Sequence, residues 1–205
     1  MTSTYTPTAV QGSGSGDYQQ VLHWSVKEKP SRTIMIQLLS IPLAILFGTA
    51  FITLASLIGK QPINFTGGTI NLGIPEIGLG IAGIVATIVL HELAHGLAMR
   101  WCGTRPQYGA MWKHLTFYAT APGYGFRRNS YILVAVAPLV GLSCLAILGM
   151  FLLRGTGWVA LLTLCAIINA VGAIGDLWMV SMVLRYPKTA YVVDERDGFR
   201  VLLRR

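Results

Sequence analysis

Residues 79–101 read LGIAGIVATIVLHELAHGLAMRW. A helix of about 20 mostly apolar residues matches the hydrocarbon thickness of a bilayer. This run has that length, yet it carries His91, Glu92 and His95 within five positions. A charged side chain at membrane depth costs about 2.5–3.5 kcal/mol on insertion scales. A chain that keeps three polar groups there must gain something from them.

Three more stretches qualify as spans: Thr33–Ile58, Tyr131–Leu153 and Trp158–Leu184. Pro42 and Pro138 fall inside two of them, where a proline kinks a helix rather than ending it. The composition agrees with this reading. The 205 residues are 53% hydrophobic and only 12% charged, with a mean hydropathy of +0.58. Soluble domains carry roughly 25% charged residues. The expected fold is an all-α integral membrane protein. It has about four transmembrane helices within residues 33–185 and a short cytoplasmic hairpin or loop between the second and third.

The remaining segments divide by composition. Residues 1–17, with QGSGSG at 11–16, read as a disordered tail. Met1 to Val10 lacks the basic start of a cleavable signal. Residues 18–32 form a juxtamembrane segment, either a short strand or a surface helix, and 186–205 a basic cytoplasmic tail. The Gly-, Asn- and Thr-rich loop 59–78 is expected to dip into the membrane surface. Gln107 to Thr120 holds Tyr108, Trp112, Leu115, Phe117 and Tyr118 between Pro106 and Pro122-Gly123. Aromatic residues between such breakers suggest a hairpin or an edge strand. Cys102, Cys144 and Cys165 are odd in number and form no pair motif, so no disulfide framework or cysteine metal site is read.

The net charge of +8 is unevenly placed. Fourteen of the sixteen Lys and Arg residues lie before the first span, between the second and third, or after the fourth. The positive-inside rule then puts both termini in the cytoplasm. That bias accounts for the charge, and no recognition motif accompanies it, so no nucleic-acid partner is expected.

His91 and His95 are separated by one helical turn and share a face. They can turn two imidazoles toward one ion, while Glu92 is rotated by about 100°. Catalytic zinc takes three protein ligands and leaves a position for water. Its Lewis acidity lowers the pKa of water to about 7, and a neighbouring carboxylate can take the proton. The competing reading makes all three residues hydrogen-bonding partners of neighbouring helices. A third ligand should be another costly residue at the same depth. Apart from Glu92, the only acid within the four stretches is Asp176. It lies nine positions before Arg185, much as His91 and His95 lie nine and five before Arg100. The alternative for Asp176 is an interhelical bond or a pairing with Arg185. Asn169, two turns before Asp176, suits either a substrate backbone and developing oxyanion or plain helix–helix bonding. Gly172 and Gly175 could loosen that helix or allow close packing. His23 and His114 read as ordinary surface residues.

HELAH in a span, with a distant aspartate in a later one, resembles the site-2 protease class of intramembrane zinc metalloproteases. That class carries N-x-x-P and LDG elements. Here Asn169-Ala170-Val171-Gly172 lacks the proline, and Asp176 is followed by leucine. The chain is more similar to the small bacterial membrane proteins termed putative zincin peptidases. The matching pieces are His91 to His95, Gly103-Thr104-Arg105-Pro106, Ala137-Pro138 and Gly175-Asp176-Leu177, within about Val21 to Leu184. This resemblance implies a multi-pass protein of the bacterial plasma membrane, with zinc as cofactor and peptidase activity.

The expected function is hydrolysis of peptide bonds in membrane-anchored proteins. His91, His95 and Asp176 are the metal ligands and Glu92 the general base. A helical substrate must unwind first, and the Gln107–Thr120 segment could hold it by edge pairing, with Tyr108 and Trp112 touching it. The alternative is a non-catalytic metal-binding membrane protein, acting as regulator, scaffold or transporter. A metal-free structural protein is a third class. Iron or cobalt would fit the same ligands, although two histidines and a carboxylate suit zinc.

Overall fold

The computed structural model describes residues 18–25, 30–59, 74–111, 116–195 and 198–204. The readings made for residues 1–17, for most of the 59–78 loop, and for Trp112, His114 and Leu115 lie outside the described residues. The element order is β1 (Tyr18–Ser25), α1 (Pro30–Gly59), α2 (Ile74–Trp101), β2 (Gln107–Met111), β3 (Thr116–Thr120), β4 (Gly125–Arg127), α3 (Arg128–Leu152), α4 (Trp158–Gly172), α5 (Ile174–Val183), β5 (Tyr191–Glu195) and β6 (Gly198–Arg204).

Four helical stretches are long and apolar enough to cross a membrane: Ile34–Gly59, Ile74–Trp101, Arg128–Leu152 and Trp158–Val183. Their apolar side chains largely face outward. Leu38, Ile41, Ile45, Leu46 and Leu57 of α1 are all exposed, as are Ile81, Leu90 and Leu97 of α2. A water-soluble fold does not expose contiguous apolar surface on that scale, whereas lipid solvates it. Three hydroxyls within the spans bond back to their own helix: Ser56 donates to Ile52, Thr87 to Gly83 and Thr163 to Val159. Helices α1 and α3 run through Pro42 and Pro138, as expected. Helix α2 begins five residues before the expected span. Pro75 and Glu76 occupy its first turn, where a missing N–H and a negative charge are both favourable.

The all-α expectation needs correction, because two sheets accompany the helices. One is the β2–β3 hairpin, close to where aromatic spacing suggested it, with Tyr108 opposite Ala119. The other is a four-stranded antiparallel sheet of order β1-β6-β5-β4. Two segments read as flanking chain, 18–32 and 186–205, thus supply three of its strands. The partners lie at opposite ends of the sequence, Tyr18 facing Arg204, so no local pattern announces them.

The chain divides into two units. The first comprises Met1–Gln37, Glu92–Ala137 and Gly175–Arg205. Its core is aromatic and β-branched: Trp24, Phe126, Tyr131, Val192, Phe199 and Val201 are buried together. The second comprises Leu38–His91 and Pro138–Ile174. Its core consists of Ala55, Ala146, Ala166 and Ala170 around Phe51, Met150 and Val159. Gly83 and Gly149 let Leu161 and Leu162 lie against their backbone.

Candidate metal centre

Helix α2 carries His91, Glu92 and His95, and α5 carries Asp176. One donor atom from each of His91, His95 and Asp176 comes within 4.8 Å of the other two. The fourth span is not one unbroken helix. It stops at Gly172 and restarts at Ile174, with Ala173 N–H turned back to the carbonyls of Asn169 and Val171. Among the described residues, a Cβ on Gly172 or Gly175 would meet no packed neighbour within 4 Å, so close packing does not call for either glycine. They lie at a helix break, and the break puts Asp176 in the first turn of α5. A helix N-terminus favours a carboxylate.

His95 Nε2 lies 3.4 Å from Asp176 Oδ2, and the two side chains are only 11% and 13% exposed. A charge-assisted hydrogen bond would be shorter, about 2.7–2.9 Å. Bonds of about 2.0–2.2 Å at tetrahedral angles put neighbouring ligand atoms roughly 3.4 Å apart. The spacing and the donor set of two imidazoles and one carboxylate therefore fit zinc.

Each histidine is held by its other ring nitrogen. His95 Nδ1 lies 2.9 Å from the carbonyl oxygen of Val134 on α3. A carbonyl only accepts, so Nδ1 carries a hydrogen and Nε2 is the ring atom turned toward Asp176. His91 Nδ1 lies 3.0 Å from Asn169 Oδ1. Asn169 Nδ2 donates to the Pro138 carbonyl at 3.1 Å, which fixes the amide with Oδ1 toward His91. His91 therefore donates from Nδ1 too. Asn169 is buried, and both ends of its amide are engaged in this chain of bonds. The sequence reading offered substrate contact or helix–helix bonding; the bonds present are of the second kind, made to a candidate ligand.

Glu92, next to His91, accepts a hydrogen bond from the Ala119 N–H of β3 at 2.9 Å through Oε2. That N–H points away from β2, so this edge of the hairpin faces Glu92. Tyr108 is half-exposed on β2, and its hydroxyl occupies the space a Cβ on Gly96 would need. It therefore packs on α2 one residue beyond His95. Trp112 lies outside the described residues.

Two residues near the hairpin escaped the sequence reading. Thr120 Oγ1 donates to Asp194 Oδ2 at 2.7 Å, tying β3 to β5. Asp194 lies outside the spans, so counting acids within them could not find it. Burial pushes its carboxyl up from 3.8 to about 7, while the Thr120 hydroxyl and the Ala121 N–H act in the opposite direction. A cavity of about 390 Å³ opens beside it, lined by Tyr108, Tyr118, Thr120, Asp194, Glu195 and Arg200 among others. His23 pairs with Glu195 at 3.3 Å. The three cysteines are free.

No curated protein and no solved structure matches the chain. One family model does: that of the putative zincin peptidases (DUF3267), over residues 84–191. The match contains the HELAH motif, the hairpin, Pro138, Asn169 and Asp176, and zinc is the metal the family description implies. With just over half of its length covered by that model and a zinc-compatible group inside the match, the chain belongs to the putative zincin peptidase family.

Proposed function

We propose that this protein is an intramembrane zinc metalloprotease that hydrolyses peptide bonds of membrane-anchored proteins. The observation that carries the reading is the approach of His91, His95 and Asp176 to within 4.8 Å, with a carboxylate next in sequence, on helices apolar enough to lie in lipid. His91, His95 and Asp176 would hold the ion, and Asp176 would offset one of its two charges. Bound zinc supplies Lewis acidity, which polarises a carbonyl and lowers the pKa of water to about 7. Glu92 would act as general base, taking a proton from the water that adds to the peptide carbonyl and returning it to the amine released as the C–N bond breaks. The Ala119 N–H holds Glu92 Oε2 for this work.

The β3 edge beside Glu92 suits an unwound stretch of substrate, which can add as a further strand. Tyr108, on the paired strand, lines the adjacent cavity and is the residue best set to touch a substrate side chain. The four-stranded sheet supports a common side for the chain before α1, the α2–α3 connection and the chain after α5, since all three supply its strands. Those regions also hold most of the basic residues. The protein is then a multi-pass protein of the bacterial plasma membrane with this side cytoplasmic. Its partners are lipid and a membrane-borne substrate.

The test is Glu92→Gln in purified, reconstituted protein. The variant keeps its zinc and loses about 10²–10⁴-fold in kcat on a membrane-anchored substrate. Undiminished function with zinc retained would instead indicate a non-catalytic metal-binding protein.

A further inference from the structure

The Ala137-Pro138 pair has no part in the chemistry above, yet both candidate histidine ligands are tied to it. In an α-helix the N–H of residue 138 would bond the carbonyl of residue 134. Proline has no N–H, and its ring crowds that carbonyl. Val134 C=O is thus deprived of its helix donor inside an apolar span, where such a group must find another partner. His95 is that partner, its Nδ1 lying 2.9 Å away. The carbonyl of Pro138 itself accepts from Asn169 Nδ2 at 3.1 Å, and Asn169 Oδ1 faces His91 Nδ1 at 3.0 Å.

We infer that Pro138 is a positioning residue for the metal centre: it holds His95 through the carbonyl it frees and His91 through the carbonyl it carries, so that each ring is protonated on Nδ1 and presents Nε2 to the ion. The inference rests on the zinc reading of the site and adds the origin of its ligand orientation. A proline that served only to bend α3 would not need a histidine on the freed carbonyl. Groups that orient metal ligands in this way usually change metal affinity by about 10–100-fold when removed.

The experiment uses the full chain, zinc-loaded in detergent, with zinc affinity read by chelator competition and ring protonation by histidine ¹⁵N spectra. In the wild type both rings show a protonated Nδ1 and a metal-bonded Nε2. Pro138→Ala restores an N–H that takes the Val134 carbonyl, so zinc affinity falls about 10–100-fold and the Nδ1–H signal of His95 is lost or shifted. Asn169→Ala leaves the proline in place and loosens only His91, with a loss of affinity and a change confined to that ring. It carries the test if Pro138→Ala does not fold. Wild-type affinity and unchanged ring signals in these variants overturn the inference while leaving a zinc site standing. A wild-type protein whose rings bond zinc through Nδ1 also overturns it, and one that binds no zinc overturns both readings.

Discussion

The two units of the chain are held together by different means. In the sheet-bearing unit, rings pack on rings: Trp24 and Phe199 have centroids 5.9 Å apart, Tyr131 and Phe199 6.0 Å, and Phe126 and Tyr131 6.3 Å. In the purely helical unit, four of the seven residues of the buried apolar cluster are alanine, at 55, 146, 166 and 170. The solvent explains the contrast. Apolar burial is driven by removal from water, so on the membrane reading proposed above large rings stabilise a sheet set in water. Lipid tails are as apolar as leucine, so helices within them gain from close approach, which small residues allow.

The sheet-bearing unit is most sensitive at Phe199. Phe199→Ala opens a cavity under the sheet and costs about 3–5 kcal/mol, read as a lower unfolding midpoint in detergent with the helical content of the spans retained. In the helical unit the damaging change runs the other way. Ala170 is fully buried, and Ala170→Leu overfills the space between helices at about 1–3 kcal/mol; enlarging rather than truncating a side chain is what destabilises here. An effect no greater than that of an exposed substitution would remove the close-packing account.

The smallest effect concerns pH. The Asp194 carboxyl is raised by burial to about 7 from 3.8, so the folded protein keeps a proton that the unfolded chain has released. Stability therefore declines as pH rises from near 4 toward 7 and levels off above. Between pH 6 and 7.5 the decline is roughly 1 kcal/mol. Asp194→Asn removes that slope and leaves the flat part, which unfolding midpoints measured across the range will reveal. An unchanged slope in the variant assigns the titration to another group.

What the sequence discloses follows from the same contrast. A bilayer demands about 20 apolar residues per crossing, so all four spans were legible, with ends off by a few residues where Glu76 joined the first turn of α2. Polar residues are costly in lipid, so His91, His95, Glu92 and Asp176 stood out. The sheet did not, because residues 18–25 pair with 198–204 and carry ordinary polar composition. Asp194 was hidden for the same reason: outside the apolar stretches an acid is unremarked until its surroundings are seen. Asn169 and Pro138 were visible as residues, but what they do depends on which histidine each one reaches, and that needs three dimensions.

The proposed activity requires donors from two separate spans to meet on one ion. Metal analysis of the purified wild type and of Asp176→Ala tests it most directly. The account predicts one zinc per chain in the wild type and its loss in the variant, with helical content unchanged. A wild type without stoichiometric zinc, or an Asp176→Ala protein that holds zinc as tightly as its parent, would contradict it.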